Sequence, residues 1–178
     1  MRLYHTSKVE IPQPDINRGR RNADFGPGFY LTPDKDFAYR WAGKDAVINI
    51  YEFDTEGLDI REFKRDIEWF GYVFSNRNAV DTAETDAVIG PIANDTIYDT
   101  LGILTSGLIS DEDALSILMI GPEYTQIAIK TEKALKQLHW IGSETNIDEK
   151  AYAMLLKQEQ EEFQNAFNAL IERIAGDD

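Results

Sequence analysis

Three short stretches of this chain carry residues whose types suit ligand chemistry: Leu3-Tyr4-His5-Thr6-Ser7, Phe25-Gly26-Pro27-Gly28-Phe29-Tyr30-Leu31-Thr32 and Thr125-Gln126-Ile127-Ala128-Ile129. Each sits at the start or end of a predicted strand. Gly26 and Gly28 let a backbone come close to a ligand, as residues without a Cβ can. Strand alternation turns Phe29 and Tyr30 to opposite faces. Arg18, Arg20 and Arg21 form the one basic cluster of the first half, and guanidinium forks suit a pyrophosphate. Carboxylates within reach along the chain are Asp24, Asp95 and Glu123. Singly, each feature has a plainer reading: a packed strand-end histidine, an aromatic core strand beside a turn, a solvated arginine loop, a helix cap or surface acid.

The elements that must position these residues follow from the hydrophobic pattern. A short strand at Leu3 to His5 precedes a loop broken by Pro12 and Pro14, and a second strand covers Phe29 to Thr32. Thr32-Pro33-Asp34 reads as a helix start with Thr32 as N-cap, carrying Phe37, Ala38 and Trp41 on one face to about Gly43. Ala46 to Phe53 is β-rich and partly alternating. Glu62 to Asn76 spaces Phe63, Ile67, Phe70, Val73 and Phe74 as a helix that turns its aromatics inward. Ala87 to Pro91 reads as a short buried strand, Asp95 to about Leu104 as a helix, and Ser110 to Asp113 as a capping box opening another. Thr125 to Thr131 alternates as a strand and Leu135 to Ile141 as a last one. From Asp148 to Ile174 the pattern is helical, with Tyr152, Leu155, Leu156, Phe163, Phe167, Leu170, Ile171 and Ile174 on one side.

Composition narrows the chemistry. The 178 residues, 43% hydrophobic, can bury a core without disulfides or metals, and one domain over 1–178 is the default. Eighteen basic against 32 acidic residues give a net charge of -14, which argues against non-specific nucleic-acid binding. There is no cysteine, which removes thiolate zinc sites and cysteine nucleophiles, and two histidines, His5 and His139, are too few for a histidine-rich metal site. No metal is expected. Met1 to Thr6 has no apolar stretch of signal-peptide length, and no window approaches the roughly 20 apolar residues of a membrane span, so the cytoplasm is the expected setting. The glycine turn fits neither Gly-x-Gly-x-x-Gly nor a Gly-Lys-Ser/Thr phosphate loop, which leaves a doubly wound dinucleotide fold unsupported.

In this order, with an aromatic-bearing helix after the second, the three stretches resemble the histidine, tyrosine and glutamate segments of the ADP-ribosyltransferase superfamily. The chain is most similar to a small group of uncharacterised bacterial proteins placed with it, in which Asp24 to Thr32, Asp86 to Tyr98 and Gln126 to Leu138 also have counterparts. The resemblance covers roughly residues 2 to 141. It implies an α+β fold: a split mixed or antiparallel sheet with a nucleotide cleft, peripheral helices, a core over 1–145 and a long C-terminal helix over 148–175.

The resemblance also implies NAD as substrate. His5 would hold the adenosine-side ribose and the main chain of Thr6 the carboxamide of nicotinamide, although a glycine commonly stands where Thr6 is. Tyr30 would stack on the nicotinamide, for which a flat face of modest polarity is suited. Gly28 would admit the ligand, Tyr39 or Trp41 would supply a second wall, and Arg18 and Arg20 would meet the pyrophosphate. The third position departs from the pattern, because Gln126 stands where active transferases carry glutamate. An amide orients a ribose hydroxyl but offers no full charge to an oxocarbenium-like transition state, a loss of about a hundredfold or more by analogy with oxyanion-hole removals. Asp24, Asp95 and Glu123 are the carboxylates that would replace it.

The leading expectation is therefore a mono-ADP-ribosyltransferase acting on a macromolecular acceptor, a toxin or effector by resemblance. The alternatives are a catalytically lapsed nucleotide-binding module that meets a protein partner through its last helix, and an NAD glycohydrolase.

Overall fold

The computed structural model describes every residue except 82, 94–109, 111, 112, 114, 115, 118, 146, 147, 177 and 178, and the side chains of all described residues except 149–151 and 175. The fold is α+β, with β1 (Arg2–Ser7), a 3-10 turn (Ile16–Arg18), β2 (Phe29–Leu31), α1 (Lys35–Arg40), β3 (Val47–Phe53), β4 (Ile60–Glu62) and α2 (Ile67–Arg77). There follow β5 (Ala87–Pro91), β6 (Thr125–Ile129), α3 (Glu132–Leu135), β7 (Leu138–Glu144) and α4 (Glu149–Gly176). The chain divides into two compact units, Met1–Ile92 with Tyr124–Ala153, and Ala93–Glu123 with Met154–Asp178.

The first unit holds both sheets. One is antiparallel with order β1-β3-β7; the other is mixed, with order β2-β6-β5-β4 and a parallel β4/β5 pair. β2 and β5 both run antiparallel to β6. A backbone bridge joins the two sheets at one residue pair, where Tyr4 N donates to Thr32 O at 2.8 Å and Thr32 N donates to Tyr4 O at 2.9 Å. Leu3, Phe29, Leu31, Tyr51, Phe53, Ile127, Ile129 and Leu138 form one buried cluster from both sheets. Full burial of each aliphatic side chain there contributes about 1.5–3 kcal/mol.

Local chemistry shifts several expected boundaries. Asp34, not Thr32, caps α1, its carboxylate accepting from Phe37 N at 3.1 Å. Thr32 is drawn off by tertiary contacts, its hydroxyl donating to Thr125 O at 2.7 Å and accepting from Asp34 N at 3.0 Å. The stretch read as one helix from Glu62 is a strand edge followed by a helix. Phe63 N donates to Ile89 O at 2.8 Å, and α2 begins only after Asp66 accepts from Trp69 N at 3.0 Å. Its inward face is correspondingly rotated: Trp69, Phe70, Tyr72, Val73 and Asn76 are buried, whereas Ile67 and Phe74 are exposed. Propensity alone does not reveal β4, because three residues paired with β5 form a strand only through the neighbour.

The predicted Asp95–Leu104 helix lies outside the described residues, as does most of the segment opened by Ser110, whose hydroxyl accepts from Asp113 N at 3.1 Å. α4 runs 28 residues, and its first turn sets the Tyr152 ring 5.2 Å from that of Tyr39 within the first unit. In the second unit Phe163 and Phe167 stack at 6.1 Å, and a Cβ on Gly121 would lie 3.3 Å from the Phe163 ring. The expected stripe is half-buried at Leu156, Phe163, Phe167, Leu170, Ile171 and Ile174, and exposed at Leu155. No described helix is long and apolar enough to cross a membrane.

Candidate functional site

The three candidate strands lie on adjoining positions. β1 carries His5, β2 carries Tyr30 and β6 carries Gln126; β2 is paired to β6, while the backbone of β1 is joined to this segment by a single bridge, from Tyr4 to Thr32 just past β2. Tyr30 opposes Ala128 in the β2/β6 ladder, so Tyr30 and Gln126, two residues before Ala128, face the same side. Phe29, Leu31, Ile127 and Ile129 face the other, into the buried cluster.

His5 does not share the Tyr30 side. Its ring lies 4.5 Å from Phe29, and it meets Tyr30 through the main chain, with Nδ1 2.6 Å from Tyr30 O. A carbonyl only accepts, so Nδ1 carries the proton and Nε2 is the acceptor of the neutral ring. Burial lowers the His5 pKa, and the Tyr30 carbonyl opposes that shift. Thr6 turns its hydroxyl to Ala38 O at 2.7 Å, fastening β1 to α1.

Tyr30 uses its phenol internally. The hydroxyl donates to Gly26 O at 2.6 Å and accepts from Phe25 N at 3.0 Å, which closes the glycine turn over its own ring. Burial pushes the Tyr30 pKa well up, so the phenol is a neutral donor. The same turn is fixed from outside by Lys130, whose ammonium donates to Phe25 O at 2.6 Å and pairs with Asp81. Gly26 has φ +76°, and a Cβ there would fall 2.7 Å from Asn76 Oδ1. A Cβ on Gly28 would fall 2.7 Å from Ile129 O. The close approach these glycines permit is thus made by the protein itself.

Gln126 reaches into the same turn. Its Nε2 donates to Asp24 Oδ2 at 2.7 Å and, more weakly, to Pro91 O at 3.4 Å. Asp24 Oδ1 accepts from Arg77 Nε at 2.9 Å and lies 2.7 Å from Nη2; both side chains are nearly buried, at 11% and 7% exposed. Of the candidate carboxylates, Asp24 is the one brought against Gln126. Glu123 is exposed and belongs to the second unit, and Asp95 lies outside the described residues.

The remaining candidates separate. Tyr39 is buried with Ala38, Ala42, Ala46 and Ile48, and Lys35 Nζ stands 5.3 Å from its ring centre. Trp41 is exposed, with its ring 5.9 Å from Phe37, which stacks on Tyr124 at 4.5 Å. Burial raises the Tyr124 phenol, opposed by Arg40, which donates to its hydroxyl and stands over its ring. Arg18 is 87% exposed and pairs with Asp15 at 3.4 Å; Arg20 and Arg21 are exposed as well. Among the described residues no group of three or more His, Asp or Glu side chains could hold a metal ion.

Sequence reading passed over Arg77, Lys130 and Tyr124, and placed Phe37 only on a helix face. Tyr124 stands two residues ahead of Gln126 and was open to view, but Arg77 and Lys130 are single basic residues at the ends of elements, with no local pattern to mark them. No curated protein and no solved structure matches the chain. Residues 1–140 match the family model DUF3990, described as a protein of unknown function, a description that carries no activity with it, and the chain belongs to that family.

Proposed function

We propose that this chain is an NAD-dependent mono-ADP-ribosyltransferase acting on a macromolecular acceptor, built on an ADP-ribosyltransferase-like split sheet. The observation that carries the reading is the strand arrangement: the Tyr30 and Gln126 strands are paired, the His5 strand lies in the other sheet, and the two sheets are joined by backbone only at the Tyr4–Thr32 bridge, beyond which they part. A bent dinucleotide would occupy that parting, with the Phe37, Trp41 and Tyr124 rings beside the start of β6 as apolar surface for it or for the acceptor.

In the reaction the bond from ribose C1 to the nicotinamide nitrogen breaks. Its electron pair leaves with nicotinamide, and the C1 cation is captured by a nucleophile of the acceptor, which gives up its proton. Gln126 would orient the ribose, and the full negative charge nearest to it is Asp24, partly offset by Arg77. A slow transferase is the expected result, since a screened charge stabilises the developing cation less than a free one. An effector role in the cytoplasm, as a toxin, belongs to the same proposal.

A second reading has a specific observation in its favour. The Tyr30 phenol and the Gln126 amide nitrogen are both engaged by the protein's own groups, as suits a nucleotide-binding module without turnover.

Nicotinamide release from NAD, with and without cell lysate, separates the readings. Release that requires lysate and falls in His5→Ala and Tyr30→Ala supports the transferase; release without lysate identifies a glycohydrolase. NAD bound but intact leaves the binding module. A folded wild-type protein that neither binds NAD nor releases nicotinamide ends the proposal.

A further inference from the structure

We infer that Asp24 is a positioning residue that fixes the Gln126 amide with its carbonyl oxygen outward, so that Gln126 meets a ligand as a hydrogen-bond acceptor. The inference rests on the nucleotide-site reading for the identity of that ligand, but the amide orientation stands on geometry alone. A side-chain amide has one donating and one accepting end, and its neighbours decide which way it turns. Here the two groups on one end, Asp24 Oδ2 at 2.7 Å and Pro91 O at 3.4 Å, are both acceptors, so that end is Nε2. Asp24 is itself unable to swing away, because its other oxygen is held by the Arg77 guanidinium from the end of α2. Pro91 O is fixed in turn by Trp69 Nε1 at 3.0 Å.

The opposite end, Oε1, accepts no hydrogen bond among the described residues, and Gln126 is half-buried rather than sealed. A glutamate at this position would offer acceptors at both ends. Held as it is, glutamine offers one, which suffices to accept from a ribose hydroxyl, and the negative charge is moved onto Asp24. The pair Asp24 and Gln126 therefore divides between two residues the acceptor and the charge that one carboxylate would combine.

Asp24→Asn tests this directly. Arg77 still requires an acceptor, so the asparagine oxygen stays on Arg77 and its Nδ2 turns to Gln126, which must reverse and present Nε2 outward. Binding is measured for NAD and for its two analogues lacking the 2′ or the 3′ hydroxyl of the nicotinamide-side ribose. Wild type is expected to prefer NAD over one analogue by about tenfold, the worth of one hydrogen bond, and Asp24→Asn to lose that preference. A folded Asp24→Asn protein that keeps the preference overturns the inference.

A second arm needs no ligand. Gln126→Glu sets a carboxylate against Asp24, with Arg77 the facing cation, and raises the pKa of the new group above its unfolded value. Stability should then be wild-type-like below about pH 4.3 and be lost as pH rises through the raised value. Asp24→Asn added to Gln126→Glu should restore the melting temperature at neutral pH by donating Nδ2 to the carboxylate. Gln126→Glu with a wild-type pH profile overturns the pairing. If no NAD binds to wild type, the function proposal fails, and this cycle still decides whether Asp24 sets the amide.

Discussion

The two faces of the mixed sheet are made by alternate residues of the same strands and are held by different physics. On one face Phe29, Leu31, Ile127 and Ile129 join Leu3, Tyr51 and Phe53 in an apolar cluster with almost no exposure. On the other, the Tyr30 phenol bonds Phe25 N and Gly26 O, the Gln126 amide bonds Asp24, and Arg77 and Lys130 hold Asp24 and Phe25 O in turn, each through one donor and one acceptor. Burial is non-directional and scales with area, so the first face tolerates changes of shape better than loss of volume. Hydrogen bonds give modest net stability but are costly to leave half-made. The second face is thus the one that fixes positions, and it is where a site would be built.

Volume should dominate the first face. Ile127→Ala is expected to cost about 2–5 kcal/mol, the range for deleting a buried aliphatic side chain where neighbours relax only partly; Ile127 is 1% exposed. Urea unfolding at neutral pH measures it. A cost no larger than that of a surface substitution would mean that the cluster is loosely packed and the contrast is wrong.

On the second face a single oxygen should matter at nearly unchanged volume. Tyr30→Phe keeps the ring and removes the hydroxyl, leaving Phe25 N without its acceptor and Gly26 O without its donor. The expected loss is about 1–3 kcal/mol, with faster hydrogen exchange at the Phe25 amide as the local signature. A neutral Tyr30→Phe would show that water replaces the hydroxyl and that the turn is not held by it.

The same contrast explains what the sequence disclosed. Elements written in local pattern were legible: the short apolar run of Ala87 to Pro91, the alternation of Thr125 to Ile129, and the long amphipathic run that becomes α4. The phase of α2 was misread because Phe63 and Phe74 look as apolar as Trp69 and Tyr72, and only the pairing of Phe63 N with Ile89 O removes Phe63 from the helix. Asp24 was visible as a carboxylate, but its partner Arg77 is 53 residues away and enters through tertiary packing. Which strands adjoin, where a side chain points and which distant counter-ion it meets are set by tertiary packing and carry no local pattern.

His5 tests the boundary between the faces, with the smallest expected effect. It is a polar ring laid against Phe29 on the apolar side, tied to the other side only by Nδ1 and Tyr30 O. Burial lowers its folded pKa, so the unfolded chain binds the proton more readily. Stability contributed by neutral His5 is then complete above the ordinary histidine value of about 6.5 and is lost as pH falls through the lowered folded value. Thermal melts of wild type and His5→Asn from pH 7.5 down to pH 5 should show a steeper acid loss in wild type than in the variant. Equal slopes would mean that His5 is protonated without cost, with its ring open to solvent, and would shift His5 from the packed side to the parting between the sheets. That outcome would weaken the contrast drawn between the faces and strengthen the case for His5 as a ligand-facing group, because a ring that gains a proton freely is one that water, and hence a ribose, can reach.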